Sequence, residues 1–219
     1  SGVRGGISLS MGWGRPTRLS GSTDNPTPME RDEALALLRR YVTSPSHIVH
    51  SHATAAIMRK AAEHLGEDVA TWEVIGLLHA IDYEIVGGDM ERHGVEGYRI
   101  LIENGVAEEI ADIVRRHNHM LFGDYVRPVE VALQAADSAS GLIIACALVK
   151  GGAIDEVTPR TVKKKFKEKS FAAGCERERI RIPDGHGDVL PPRDRGARGS
   201  PRRSRSRLSA IHIRLPDRG

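Results

Sequence analysis

The chain has 219 residues, 40% hydrophobic and only 4% aromatic, which suits one domain with an aliphatic core. Two cysteines, Cys146 and Cys175, exclude a disulfide framework and point to reduced thiols in a cytoplasmic protein. The net charge of +3 is unevenly spread: ten arginines against four aspartates after position 180, and three against one before position 29, put +6 and +2 in the ends and leave −5 on residues 29–180.

Residues 1–28 are rich in Gly, Ser, Thr and Pro without periodic hydrophobicity, and read as a flexible leader with no charged-then-apolar signal pattern. From 29 to about 180 an all-α domain is expected. "MERDEALALLRRYV" places acids early and Arg39 and Arg40 late, as a helix dipole prefers. "SPSHIVHSHATAAIMRKAAEHLG" opens with Ser44-Pro45 and stops at Gly66. "EDVATWEVIGLLHAI" is a third helix, and "RHGVEGYRILIENG" and "AEEIADIVRRHNH" form a pair around Gly105. "RPVEVALQAADSASGLIIACALV" is long and apolar enough to lie at the centre, and "TPRTVKKKFKEKSF" is a short basic helix. The longest apolar run, "GLIIACALV", is too short to span a bilayer, so no membrane partner is expected. Residues 181–219 are rich in Arg, Pro and Gly and are expected to be a disordered tail. The tail's "RRSRSR" offers phosphate contacts to nucleic acid, but with no aromatic residues interleaved a solvated tail is the favoured reading.

Eight of the ten histidines fall between His47 and His119. His50, His79, His93 and His117 sit where a helical bundle can aim them at one pocket. Asp137 interrupts an apolar helix, where a charge must be paired or bound to a cation. Imidazoles plus one carboxylate suit Mn, Fe, Co, Ni or Zn better than Ca or Mg. Any one of these histidines alone is more often an ordinary hydrogen-bonded residue. The group taken together carries the reading.

The order His50, "LLHAIDYE", "ERHG", "RRHN" and "AADSASGLI" resembles the HD superfamily of metal-dependent phosphohydrolases, close to small prokaryotic HDIG-type proteins whose motif reads "LLHD" followed by "IDYE". The resemblance covers roughly residues 30–180. It implies that His50, His79 and Asp137 bind a metal, with His93 and His117 as ligands for a second; one or two ions are expected. His119 matches the pattern less well. Where such proteins carry the doublet's aspartate, which contacts both metals and helps hold the nucleophilic water, this chain has Ala80. Asp82 lies two residues on, about 200° around a helix, so it is expected to play a different part, either substrate contact or orientation of His79.

The implied chemistry is hydrolysis of a phosphomonoester or phosphodiester in a small metabolite or nucleotide, impaired by Ala80. The alternative is a non-catalytic module of the same type that binds a phosphorylated ligand. A phosphate needs positive partners, and the sequence offers Arg92, Arg115, Arg116 and the lysines 163–165. The expected assignment gives metal ligation to His50, His79, His93, His117 and Asp137. It gives the reaction to His79, Asp82, Arg116 and Lys165, and substrate contact to Arg92, Glu84 and Lys164. A homo-oligomer is left open.

Overall fold

A computed structural model describes residues 29–185. The leader at 1–28 and the tail beyond 185, including its arginine cluster, lie outside the described residues. Among the described residues the chain forms eight α-helices and no strand: α1 (Arg31–Tyr41), α2 (Pro45–Leu65), α3 (Val69–Leu78), α4 (Val95–Glu103), α5 (Glu108–Arg116), α6 (Pro128–Leu148), α7 (Pro159–Lys167) and α8 (Arg177–Gly185). The all-α expectation holds, and seven helices fall on the stretches read from periodicity. The eighth carries regular structure five residues past the composition boundary at 180.

Local chemistry sets the helix ends. Glu30 and Glu33 form a reciprocal capping box on α1. Asp68 accepts the amides of Ala70 and Thr71 at the start of α3. The start of α2 is capped from a distance: the Glu84 carboxylate accepts from the amides of Thr43 and Ser44 and from the Thr43 hydroxyl, at 2.9–3.0 Å. Four donors, counting His47, hold its carboxyl down at about 2 despite the opposing effect of burial.

α3 forms the heart of the core, with Trp72, Val74, Ile75, Leu77 and Leu78 all buried against α1, α2 and α6. Its closest partner is α2, and Gly76 makes that approach feasible. A methyl group built there would stand 2.6 Å from the Ala55 Cα, a distance no folded protein tolerates. The tight crossing carries His50 on α2 toward His79, three residues beyond Gly76.

α6 lies centrally, as expected, and packs on α2, α7 and α8. As formed, it is the one helix among the described residues long and apolar enough to cross a membrane, a length the uninterrupted run at 141–149 understated. Just over half of its most apolar window is buried, and its polar Gln134, Asp137 and Ser140 serve the site below. These are the marks of a bundle's core helix.

Candidate metal centre

One cleft of about 370 Å³ gathers six of the ten histidines: His47, His50, His79, His93, His117 and His119. Asp137, Ala80, Tyr83 and Arg179 line it as well. The volume suits a small ligand.

At its floor, His50 Nε2 lies 3.1 Å from both His79 Nε2 and Asp137 Oδ1, and the last two are 3.6 Å apart. Ligand atoms about 2.1 Å from a common cation sit roughly 3.0–3.4 Å from one another, so this triangle has the size of a coordination face. Among the described residues this is the group whose ligand atoms converge in this way.

The tautomers decide what converges. His79 Nδ1 donates to the Gly76 carbonyl at 2.9 Å, and His117 Nδ1 donates to the Val114 carbonyl. The Ser140 hydroxyl gives its single proton to the Asp137 carbonyl at 2.7 Å, so at 3.0 Å from His50 Nδ1 it can only accept. His93 Nδ1 donates to Asp82 Oδ1 at 2.8 Å. All four rings therefore place their protons on Nδ1 and turn Nε2 lone pairs inward. Burial lowers the His79 pKa, and burial with the neighbouring His93 and His79 lowers that of His117 to about 3, so both rings stay neutral. Two imidazole lone pairs and a carboxylate oxygen at these distances repel one another unless a positive charge lies between them. The residues fit a divalent cation.

His93 and His117 form a second element beside the first, with ring centroids 4.7 Å apart and His117 5.3 Å from His79. They supply two nitrogens and no carboxylate. Ala80 lines the cleft with a methyl group where the resemblance calls for a bridging oxygen.

The remaining residues of "GLLHAIDYE" have assignments different from those expected. Asp82 is fully buried and does not line the cleft. One of its oxygens fixes His93; the other accepts the amides of Gly94 and Gly97 at 2.7 and 2.8 Å. Burial works against its charge, yet these bonds outweigh it and hold the carboxyl below its ordinary value. It orients His93 rather than His79 and does not reach the reaction space. Gly94 makes this possible, with φ at +81° and no room for a side chain beside the Arg115 carbonyl. Glu84, expected on the substrate, is occupied in capping α2.

The expected cations are displaced too. Arg116 donates to Glu130 at 2.8 Å and to the Gly123 carbonyl, away from the cleft. Lys165 pairs with Glu168 at 2.7 Å and lies over the Phe171 ring. Arg92 and Lys164 are exposed and line no part of the cleft. Charge and proximity in sequence suggested all four; Arg116 and Lys165 are turned to the partners Glu130 and Glu168 instead.

Sequence reasoning missed Arg179, which donates from Nη2 to Asp137 Oδ2 at 2.8 Å and from Nε to Gln134 at 2.9 Å. It also missed Ser140 as the acceptor that fixes His50. A weak signal for Ser140 was present: it lies three residues after Asp137, where a hydroxyl reaches the preceding turn's carbonyl. His119 stands on the wall in contact with Glu176 at 3.2 Å.

Residues 48–147 match the model of the HD domain family. No curated protein matches the chain. The matched stretch contains His50, His79, His93, His117 and Asp137, and by it the chain carries an HD domain.

Proposed function

We propose that this protein is a metal-dependent phosphohydrolase of HDIG type that cleaves a phosphate ester in a small metabolite or nucleotide. We place it in the cytoplasm, in keeping with its two free thiols. The observation that carries the reading is the face formed by His50 Nε2, His79 Nε2 and Asp137 Oδ1, with proton-bearing Nδ1 atoms turned outward.

These three residues would hold the first cation, of the Mn, Fe, Co, Ni or Zn group; His93 and His117 would contribute to a second, weaker site. A divalent cation there supplies Lewis acidity toward a phosphoryl oxygen and brings the pKa of water from about 15.7 toward 7. The chain's part is to keep that site preorganised. Gly76 and Ser140 fix the rings of His79 and His50, Asp82 fixes His93, and burial keeps His79 and His117 unprotonated and ready to ligate.

Ala80 favours a second reading, a binding module that retains the pocket and holds a phosphorylated ligand without turnover. Metal content of the purified chain after incubation with Mn, Fe, Co, Ni or Zn tests the first reading: protein that takes up none of them removes the phosphohydrolase. Ala80→Asp then separates them. A gain of orders of magnitude in hydrolysis of generic phosphoesters supports an enzyme curtailed by Ala80, and no gain in a metal-loaded variant supports the binding module.

A further inference from the structure

Among the described residues lining the cleft, Arg179 is the one lysine or arginine. It comes from α8, outside the stretch at 48–147 that the family model matches. The helix is tied down by its neighbour Arg177, which donates to the carbonyls of Ala172 and Cys175, both at 2.6 Å, and to those of Glu168 and Phe171. The guanidinium of Arg179 is thereby brought against α6 with its side chain only 12% exposed.

Two of its nitrogens, along one edge, are engaged. Nε donates to Gln134 Oε1, and Gln134 is itself fully buried and donates to the His117 carbonyl at 2.9 Å. Nη2 donates to Asp137 Oδ2. The Asp137 carboxylate is thus divided: Oδ1 faces His50 and His79, Oδ2 faces Arg179. A cation on the first oxygen and a guanidinium on the second do not compete. Nη1 makes no hydrogen bond to the described residues and is not among their buried unpartnered atoms, which are Thr54 Oγ1, Arg115 Nε and Arg177 Nε. An arginine fixed along one side, with free donors on the other beside a cation site, is a preorganised anion fork. Glu176, the other carboxylate on the wall, is engaged by His119.

We infer that Arg179 binds the phosphoryl group of the substrate, offering its Nη1 donors to a phosphoryl oxygen while Asp137 and Gln134 hold its opposite side. This assignment rests on the phosphohydrolase reading and gives the phosphate partner that Arg92, Arg116, Lys164 and Lys165 do not supply.

Inorganic phosphate titrated calorimetrically into the Mn2+-loaded full chain tests it, with Mn2+ affinity measured separately for each protein. Arg179→Gln weakens phosphate binding about 10- to 100-fold, the loss expected of a charge-assisted contact, while Mn2+ affinity stays close to that of the unsubstituted protein. Arg179→Lys, which keeps the charge and loses the fork, falls between the two, and Lys164→Gln matches the unsubstituted protein. Unchanged phosphate affinity in Arg179→Gln overturns the assignment. So does a fall in Mn2+ affinity as large as the fall for phosphate, which would make Arg179 a positioning residue for Asp137. Should Arg179→Gln fail to fold, Arg179→Lys decides, and phosphate affinity equal to that of the unsubstituted protein overturns it. An unsubstituted chain that binds none of Mn2+, Fe2+, Co2+, Ni2+ or Zn2+ removes the phosphohydrolase reading and this one together. A chain that binds Mn2+ and phosphate regardless of residue 179 removes only this one.

Discussion

The buried carboxylate of Asp82 accepts the Nδ1 proton of His93 at 2.8 Å, and so decides which nitrogen of that ring faces the cleft. Asp82→Asn keeps the shape and both glycine amide contacts, but its amide nitrogen can only donate to His93. The ring must then carry its proton on Nε2, and its lone pair toward the cleft is lost. The expected outcome is a folded protein that retains its first metal, binds any second one at least about 10-fold more weakly, and shows the changed tautomer in 15N spectra. Asp82→Ala leaves three buried donors unpaired and lowers stability by about 2–4 kcal/mol, read from urea denaturation.

Ser140 acts on His50 in a comparable way with a neutral group. Ser140→Ala removes the acceptor that keeps the His50 proton on Nδ1. Metal affinity falls by about 10- to 100-fold, the usual consequence of losing such a support, while the helical signal in circular dichroism remains that of the unsubstituted chain. A metal dissociation constant that does not move would contradict the tautomer assignment at His50.

Gly76 couples the core to the site. In Gly76→Ala the new methyl meets the Ala55 backbone, and backbone cannot swing aside as a side-chain tip can. α2 and α3 must separate. The variant loses about 2–3 kcal/mol of stability by denaturant midpoint, and its metal affinity falls as well because His50 and His79 move apart.

Most of the fold was legible because helical periodicity and end signals are local. The opening of α2 shows both the reach and the limit of that legibility. Ser44-Pro45 marked the start correctly, but the capping carboxylate is Glu84, forty residues away in sequence, and no local rule connects the two. The five ligand candidates could be named because a carboxylate inside an apolar helix needs a partner and the resemblance supplied the order of the imidazoles; of the five, His50, His79 and Asp137 bring their ligand atoms together. Arg116 and Lys165 were misassigned because a sequence shows charge but not direction; Glu130 and Glu168 hold them elsewhere. Arg179 went unnoticed because "CERERIRIP" borders a stretch whose composition suggests disorder, and its role appears only once α8 packs on α6.

Glu130 yields a prediction about acid stability. It is buried near the start of α6 and takes donors from Arg116 at 2.8 Å and Arg127 at 2.9 Å. Burial opposes its charge, but Arg127 and Arg116 outweigh that and hold its carboxyl at about 2, below the ordinary 4.5. A carboxyl whose pKa is depressed on folding contributes fully above its unfolded value and loses that contribution as pH falls toward the folded one. Because the two arginines remain partly solvated once freed, Glu130→Gln should cost about 1–3 kcal/mol at neutral pH. The gap in melting temperature between the two proteins should be constant above about pH 5 and close between about pH 4.5 and 2. Glu84 is depressed to about 2 as well, so the variant retains some acid sensitivity of its own over the same range. A gap that stays constant down to pH 2 would mean that the Glu130 ion pairs contribute nothing to the folded state.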